Sequence, residues 1–154
     1  MLPLKTEFLC DVIVELDWQG IVNIGATPSG IRTIIYVKGG KVEGPKLKGV
    51  ILPGGGDWYM TRPDGVGQLD VRAAMRTDDG DTVYIYYRGI NTMTPEIRQR
   101  IMGGEAVNPS EYYFRTTPVF ETASKKYSWL NGIVTVGIGH LTRTDLRYSI
   151  HAVL

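Results

Sequence analysis

Short runs of alternating apolar and polar residues, cut every few positions by glycine or proline, fill this sequence from end to end. Nineteen glycines and eight prolines supply the breaks, which is the punctuation an antiparallel sheet needs at its turns. In the first run Phe8, Cys10, Val12, Val14 and Leu16 share one face, while Asp11, Glu15 and Asp17 share the other, because strand side chains alternate. Further strands are predicted at 22–24 and at 32–38, with Gly39-Gly40 as a hairpin turn before Lys41. Runs at 47–52, 58–62, 68–77 and 82–88 follow, with Pro63-Asp64-Gly65 and Asp78-Asp79-Gly80 as turns. Strands at 112–120, 133–141 and 145–153 complete the series.

One helix is predicted, at 94–102. Thr94 caps it, Pro95 takes its first position and Gly103-Gly104 ends it. So short a helix is weak alone, which makes it a plug or lid on a β-scaffold. Parallel strands would need helical crossovers that this chain lacks, and closure removes strand edges. The expected fold is therefore mainly β, a single closed or nearly closed antiparallel barrel over residues 1–154 with one short helix. Gly137 and Gly139 share a face of a late strand, which suits sharp coiling or a cavity.

The charge balance, 17 basic against 16 acidic residues, gives a formal net charge of +1 and no broad field to draw nucleic acid or an acidic membrane. No apolar stretch approaches the roughly 20 residues that span a bilayer. The opening MLPLKTEFLC lacks the pattern of a signal peptide. The single cysteine, Cys10, forms no internal disulfide and no thiolate metal cage, and is expected as an inert core thiol. A soluble cytoplasmic protein is the expectation.

Candidate chemistry gathers in the segment from Leu52 to Gly89. Asp70 and Arg72 stand two apart and so share a strand face. Asp57 and Trp58 follow Gly54-Gly55-Gly56, a tripeptide that points to closely approached backbone. Arg115 and Glu121 share strand parity with Tyr113. Arginines and carboxylates converging inside a barrel would be costly without partners or a ligand, and arginine holds oxyanions in a forked grip. Tyr84, Tyr86, Trp58 and Trp129, the last beside Asn131, supply rings for a flat or apolar small molecule.

Other signals do not extend to a site. Gly54-Gly55-Gly56 lacks the Gly-Lys-Ser/Thr of a phosphate loop, and Asp78-Asp79-Gly80-Asp81 lacks the later glutamate of a calcium loop. His140 and His151 have no metal-ligand spacing, and no nucleophile elbow is present. No cofactor and no metal are expected.

Three segments carry a resemblance: YVKGGKVEGPKLKGVILPGGGDW, LDVRAAMRTDDGDTVYIYYRG and FRTTPVFETASKKYSWLNGIVTVGIGH. With the terminal strands they cover nearly the whole chain, which resembles the family labelled domain of unknown function 3237, of UPF0311 type. The resemblance implies a calycin-like or allene-oxide-cyclase-like β-barrel, commonly assembled as a homo-oligomer, a dimer being favoured. It also implies that Asp57, Trp58, Asp70, Arg72, Arg115, Glu121, Trp129 and Asn131 face a pocket, without assigning them roles.

The leading functional expectation is a barrel that binds a small carbonyl or phenolic compound and rearranges it without a cofactor, as an isomerase, cyclase or lactone-type enzyme. Asp57 or Glu121 would move a proton while Arg72 and Arg115 stabilise the oxyanion. Trp58, Asp70, Tyr84, Tyr86, Tyr113, Trp129 and Asn131 would hold the ligand. A non-catalytic carrier or sensor and an oligomeric structural protein are the alternatives.

Overall fold

A computed structural model describes residues 2–154. Eleven strands form one sheet: β1 (Thr6–Leu16), β2 (Val22–Thr27), β3 (Gly30–Glu43), β4 (Lys48–Ile51), β5 (Gly56–Thr61), β6 (Gly67–Thr77), β7 (Thr82–Asn91), β8 (Phe114–Thr116), β9 (Val119–Glu121), β10 (Thr135–Leu141) and β11 (Leu146–Val153). One helix, α1 (Pro95–Met102), lies between β7 and β8. The strands follow the order β6-β5-β3-β1-β11-β10-β8-β7, and β7 pairs back with β6, so eight antiparallel strands close a barrel. The expected fold class is the observed one. The remaining three strands extend the wall locally, β2 on β3, β4 between β3 and β6, and β9 on β7.

Inward residues alternate with outward ones as the pleat dictates. From β6, Leu69, Val71 and Met75 are buried while Gln68 and Arg72 face out. At one end the interior is filled by Val42, Leu47, Met75 and Val83, each at most 1% exposed. Cys10 is fully buried there, and burial pushes its thiol up to about 12, as an inert core thiol requires. Gly137 and Gly139 point inward, but the space they leave is occupied: an added Cβ would lie 2.3 Å from Thr116 Oγ1 and 2.5 Å from the Phe114 ring, respectively.

Two expectations about local structure are corrected. Gly39-Gly40 is not a hairpin turn, because β3 runs on to Glu43 and the pair sits at a register shift against Glu15 and Leu16 of β1. The Cβ of any larger residue at 40 would meet the Ile13 carbonyl at 2.1 Å, so glycine is needed for close approach and for its φ of 154°. The run at 112–120 is not one strand. It breaks at Thr117-Pro118 into β8 and β9, since Pro118 has no N–H for the ladder. The helix forms as expected, with the Thr94 hydroxyl accepting from Ile97 N–H at 3.3 Å and Gly103 at its C-cap.

Candidate functional site

The barrel end beneath α1 is hollow. A cavity of about 540 Å³ lies there, within the range of ordinary small-molecule sites. Ile35 of β3, Val71 of β6 and Phe114 of β8 give it apolar walls, Trp18 stands at its edge, and Pro95 and Arg98 of α1 sit over it. The helix is thus placed as a lid. Tyr87 closes the floor, its hydroxyl donating to Tyr148 Oη at 3.1 Å, and below that pair the barrel holds a void of only about 40 Å³.

Among the described residues Asp57 is the one carboxylate on this cavity's lining, and it is 8% exposed. Its placement follows from the preceding glycines. Gly54 takes a φ of 104°, and a side chain at Gly55 would strike the Arg72 carbonyl at 2.4 Å, so the chain enters β5 pressed against β6. The β5–β6 ladder is then interrupted between Asp57↔Val71 and Met60↔Gln68. Side chains satisfy the backbone in that gap: Asp70 N–H donates to Asp57 Oδ1 at 3.0 Å from inside, and Arg32 donates to the Trp58 carbonyl at 2.5 Å from outside. Burial is the main force on Asp57 and pushes its carboxyl up to about 7. The Asp70 N–H opposes this, the Asp70 charge adds to it, and Arg32 opposes it. Asp57 is therefore poised to exchange a proton near neutrality.

Several polar side chains share the cavity with it, among them Tyr59, Asn91 and Arg98. Tyr59, two residues along the same face, has its phenol raised by burial and pulled back by Arg98. Asn91 accepts from Met93 N–H at 2.8 Å, which leaves its NH2 group as a donor. Among the described residues no group of three or more His, Cys, Asp or Glu side chains could hold a metal ion, and no helix is long and apolar enough to cross a membrane.

The other residues singled out from sequence do not join Asp57. Asp70 and Arg72 form an ion pair of 3.2 Å on the outer wall, where Arg72 lies 5.7 Å from the Trp58 ring and 5.2 Å from the Tyr86 ring. Arg115 stacks 5.0 Å from Tyr113, also outside. Glu121 is exposed opposite Tyr84 in the β7–β9 register. Trp129 and Asn131 belong to a 3-10 turn, Ser128–Gly132, where Asn131 clamps Thr122 through bonds of 2.8 and 3.0 Å. The expected convergence of Asp57, Glu121, Arg72 and Arg115 is absent, because their strand parities place the last three on the outer face. Sequence reasoning passed over Tyr59, Tyr87, Asn91 and Arg98. Parity with Asp57 marks Tyr59, and Pro95 and Arg98, at helical i, i+3 spacing, fall on one side of the lid.

The comparisons with known proteins fit this architecture. Residues 4–153 match the family described as a protein of unknown function, DUF3237. A UPF0311 protein of Rhodopseudomonas palustris is 32% identical over 98% of this chain and 97% of its own length. One of Clostridium acetobutylicum is 46% identical over 66% of this chain, a match that spans 64% of that relative. Among solved structures, a conserved protein of unknown function from R. palustris superposes with a TM-score of 0.91 at 32% identity, with both chains covered in full. A beta-barrel like protein from Acinetobacter baumannii gives 0.86 at 34% identity, covering 100% of this chain and 98% of that one. A structure described as an enzyme from Penicillium herquei shares the fold, with a TM-score of 0.70 at 20% identity over 97% of this chain and 96% of its own. This chain belongs to the DUF3237 family.

Proposed function

We propose that this protein binds a small, partly apolar carbonyl or phenolic compound in the barrel cavity and moves a proton on it through Asp57. One observation carries the reading: a single buried carboxyl, with a proton affinity near neutrality, faces about 540 Å³ of otherwise largely apolar space. Asp57 Oδ1 is fixed by the Asp70 N–H, so proton exchange falls to Oδ2. Arg98 supplies the positive charge that a developing enolate or phenolate needs, the part assigned from sequence to Arg72 and Arg115. A positioned acid or base of this kind contributes about 10²–10⁴-fold to a rate. The walls hold the apolar body and keep water from the reacting atoms.

The test is a thermal-shift screen with small phenols, lactones and keto acids, followed by turnover and solvent-deuterium exchange on each hit. Asp57→Asn should retain binding of a hit and lose exchange or turnover by at least about 100-fold. Ile35→Trp, which fills the cavity, should abolish binding. Binding without turnover or exchange in the unaltered protein would convert the reading to a carrier or sensor. Hits that Ile35→Trp leaves intact would place the site elsewhere.

A further inference from the structure

On the outer face of the same wall lies a second concavity, of about 700 Å³. Its layout follows from register. Arg32 of β3 pairs with Met60 of β5, Met60 with Gln68 of β6, Gln68 with Ile90 of β7, and Ile90 with Arg115 of β8. Side chains in register across an antiparallel sheet share a face, so these five make one transverse row. Four strand spacings of about 4.8 Å separate its ends, roughly 19 Å along the curved sheet. The row has a guanidinium at each end, and its middle is the half-buried Ile90 beside the exposed Gln68 amide, with Met60, 5% exposed, filling the base beneath them. Trp58 and Tyr113 add aromatic surface near the respective ends.

The charges in this slot are not balanced by the chain. Arg88 projects from the neighbouring row, opposite Asp70, yet Asp70 is bonded to Arg72. Among the described residues, Arg32, Arg88 and Arg115 have no carboxylate within ion-pair distance. Arg32 and Arg115 each donate through Nη1 to a backbone carbonyl, of Trp58 and Phe114. Those bonds fix the stems and leave the other N–H groups of each fork available. The whole chain carries only +1, so this is a local concentration of charge rather than the broad basic field of a nucleic-acid binder.

We propose that this slot is a second ligand site, for a small molecule with an anionic group at each end of an apolar body. Each end meets an arginine fork, the geometry that recognises a carboxylate or phosphate. Arg88 reinforces the middle, and the apolar body lies along Ile90 and between the Trp58 and Tyr113 rings. The site stands independently of the cavity, from which the β5–β6 wall separates it.

Azelate, a nine-carbon dicarboxylate, is a suitable probe, with nonanoate as its single-anion counterpart. Calorimetry at low and moderate salt should show azelate binding about tenfold more tightly than nonanoate, with the advantage shrinking as salt rises. Arg115→Gln and Arg88→Gln, each checked for an unchanged circular dichroism spectrum, should weaken azelate about tenfold, while Ile35→Trp should not affect it. If Arg32→Gln disturbs the β5–β6 gap, the other two variants still decide the matter. Three results would overturn the proposal: no azelate binding, azelate binding lost in Ile35→Trp but kept in the arginine variants, or an Arg115→Gln protein that dissociates from an oligomer. The last would make the slot a contact between copies of this chain.

Discussion

The two ends of this barrel are built by the same strands and differ in what those strands point inward. Beneath α1 the inward residues are Thr33 and Ile35 of β3, Asp57 and Tyr59 of β5, and Asn91 of β7, and the space among them stays open at about 540 Å³. At the other end Val12, Ile51, Ile85 and Phe120 close on a void of about 40 Å³, and Val42, Met75 and Val83 are each at most 1% exposed. The boundary is the Tyr87–Tyr148 hydroxyl pair, whose rings meet edge to face at 5.4 Å. The filled end supplies the burial that stabilises the fold. It allows the open end to hold a buried carboxyl that costs stability.

The largest expected effect tests the open end. The Asp57 carboxyl titrates at about 7 in the folded chain, against an ordinary value of 3.8. Between those values the folded state holds a proton that the unfolded state has lost, so this group's contribution to stability falls as pH rises. Below pH 4 the contribution is nil, and above pH 7 the penalty is complete, on the order of 4 kcal/mol at 1.36 kcal/mol per pK unit. Asp57→Asn keeps an acceptor for the Asp70 N–H and removes the charge. Its stability relative to the unaltered protein should therefore match at pH 4 and exceed it progressively up to pH 8 in urea unfolding. A difference that stays flat with pH would mean the carboxyl is solvated and the open end is not a desolvated site.

Next in size is truncation at the filled end. Met75 is fully buried, and Met75→Ala should cost about 3 kcal/mol, because the tight surroundings cannot collapse onto the vacancy. Ile35 borders open space and is half-buried, so Ile35→Ala should cost about 1 kcal/mol for the lost burial alone. Equal costs in denaturant titrations would remove the distinction between the two ends.

The architecture was more legible in the sequence than the site, for a physical reason. Period-two alternation, Thr94-Pro95 and the turn glycines are local signals, and they gave the strands, the capped helix and the turns at Pro63-Asp64-Gly65 and Asp78-Asp79-Gly80, where Gly65 and Gly80 take φ of 83° and 90°. Alternation also assigns faces, but it does not say which face is inside. Asp70 and Arg72 stand opposite in parity to Leu69 and Val71, and a core made of Leu69 and Val71 sends the ion pair outward. Asp57 was visible as a charge behind three glycines, whereas its bond to Asp70 N–H depends on the interrupted β5–β6 ladder, a long-range feature. Arg98 could be placed over the cavity once the helix was read as a lid, but the residues beneath it come from strands far away in sequence.

The smallest effect separates two neighbouring glycines of β10. A methyl group at Gly137 meets Thr116 Oγ1 at 2.3 Å and Ile150 Cδ1 at 2.9 Å. Thr116 is hemmed in, since its Cγ2 occupies the space beside Gly89, 2.7 Å from where a Cβ there would lie. Gly137→Ala should therefore cost about 2 kcal/mol as overpacking. At Gly139 the methyl meets Cγ and both Cδ atoms of Phe114 at 2.5–2.7 Å, so the whole ring must turn about χ1, toward the cavity that it borders. Gly139→Ala should cost about 1 kcal/mol, while shrinking the cavity and weakening any ligand bound there. Measured side by side, the pair reads both properties at once: the larger loss of stability at Gly137 with binding intact, and binding lost at Gly139 with the smaller loss of stability. The reverse order would show that the space beneath α1 is not available to Phe114, and so is not free to take a ligand of the size the cavity implies.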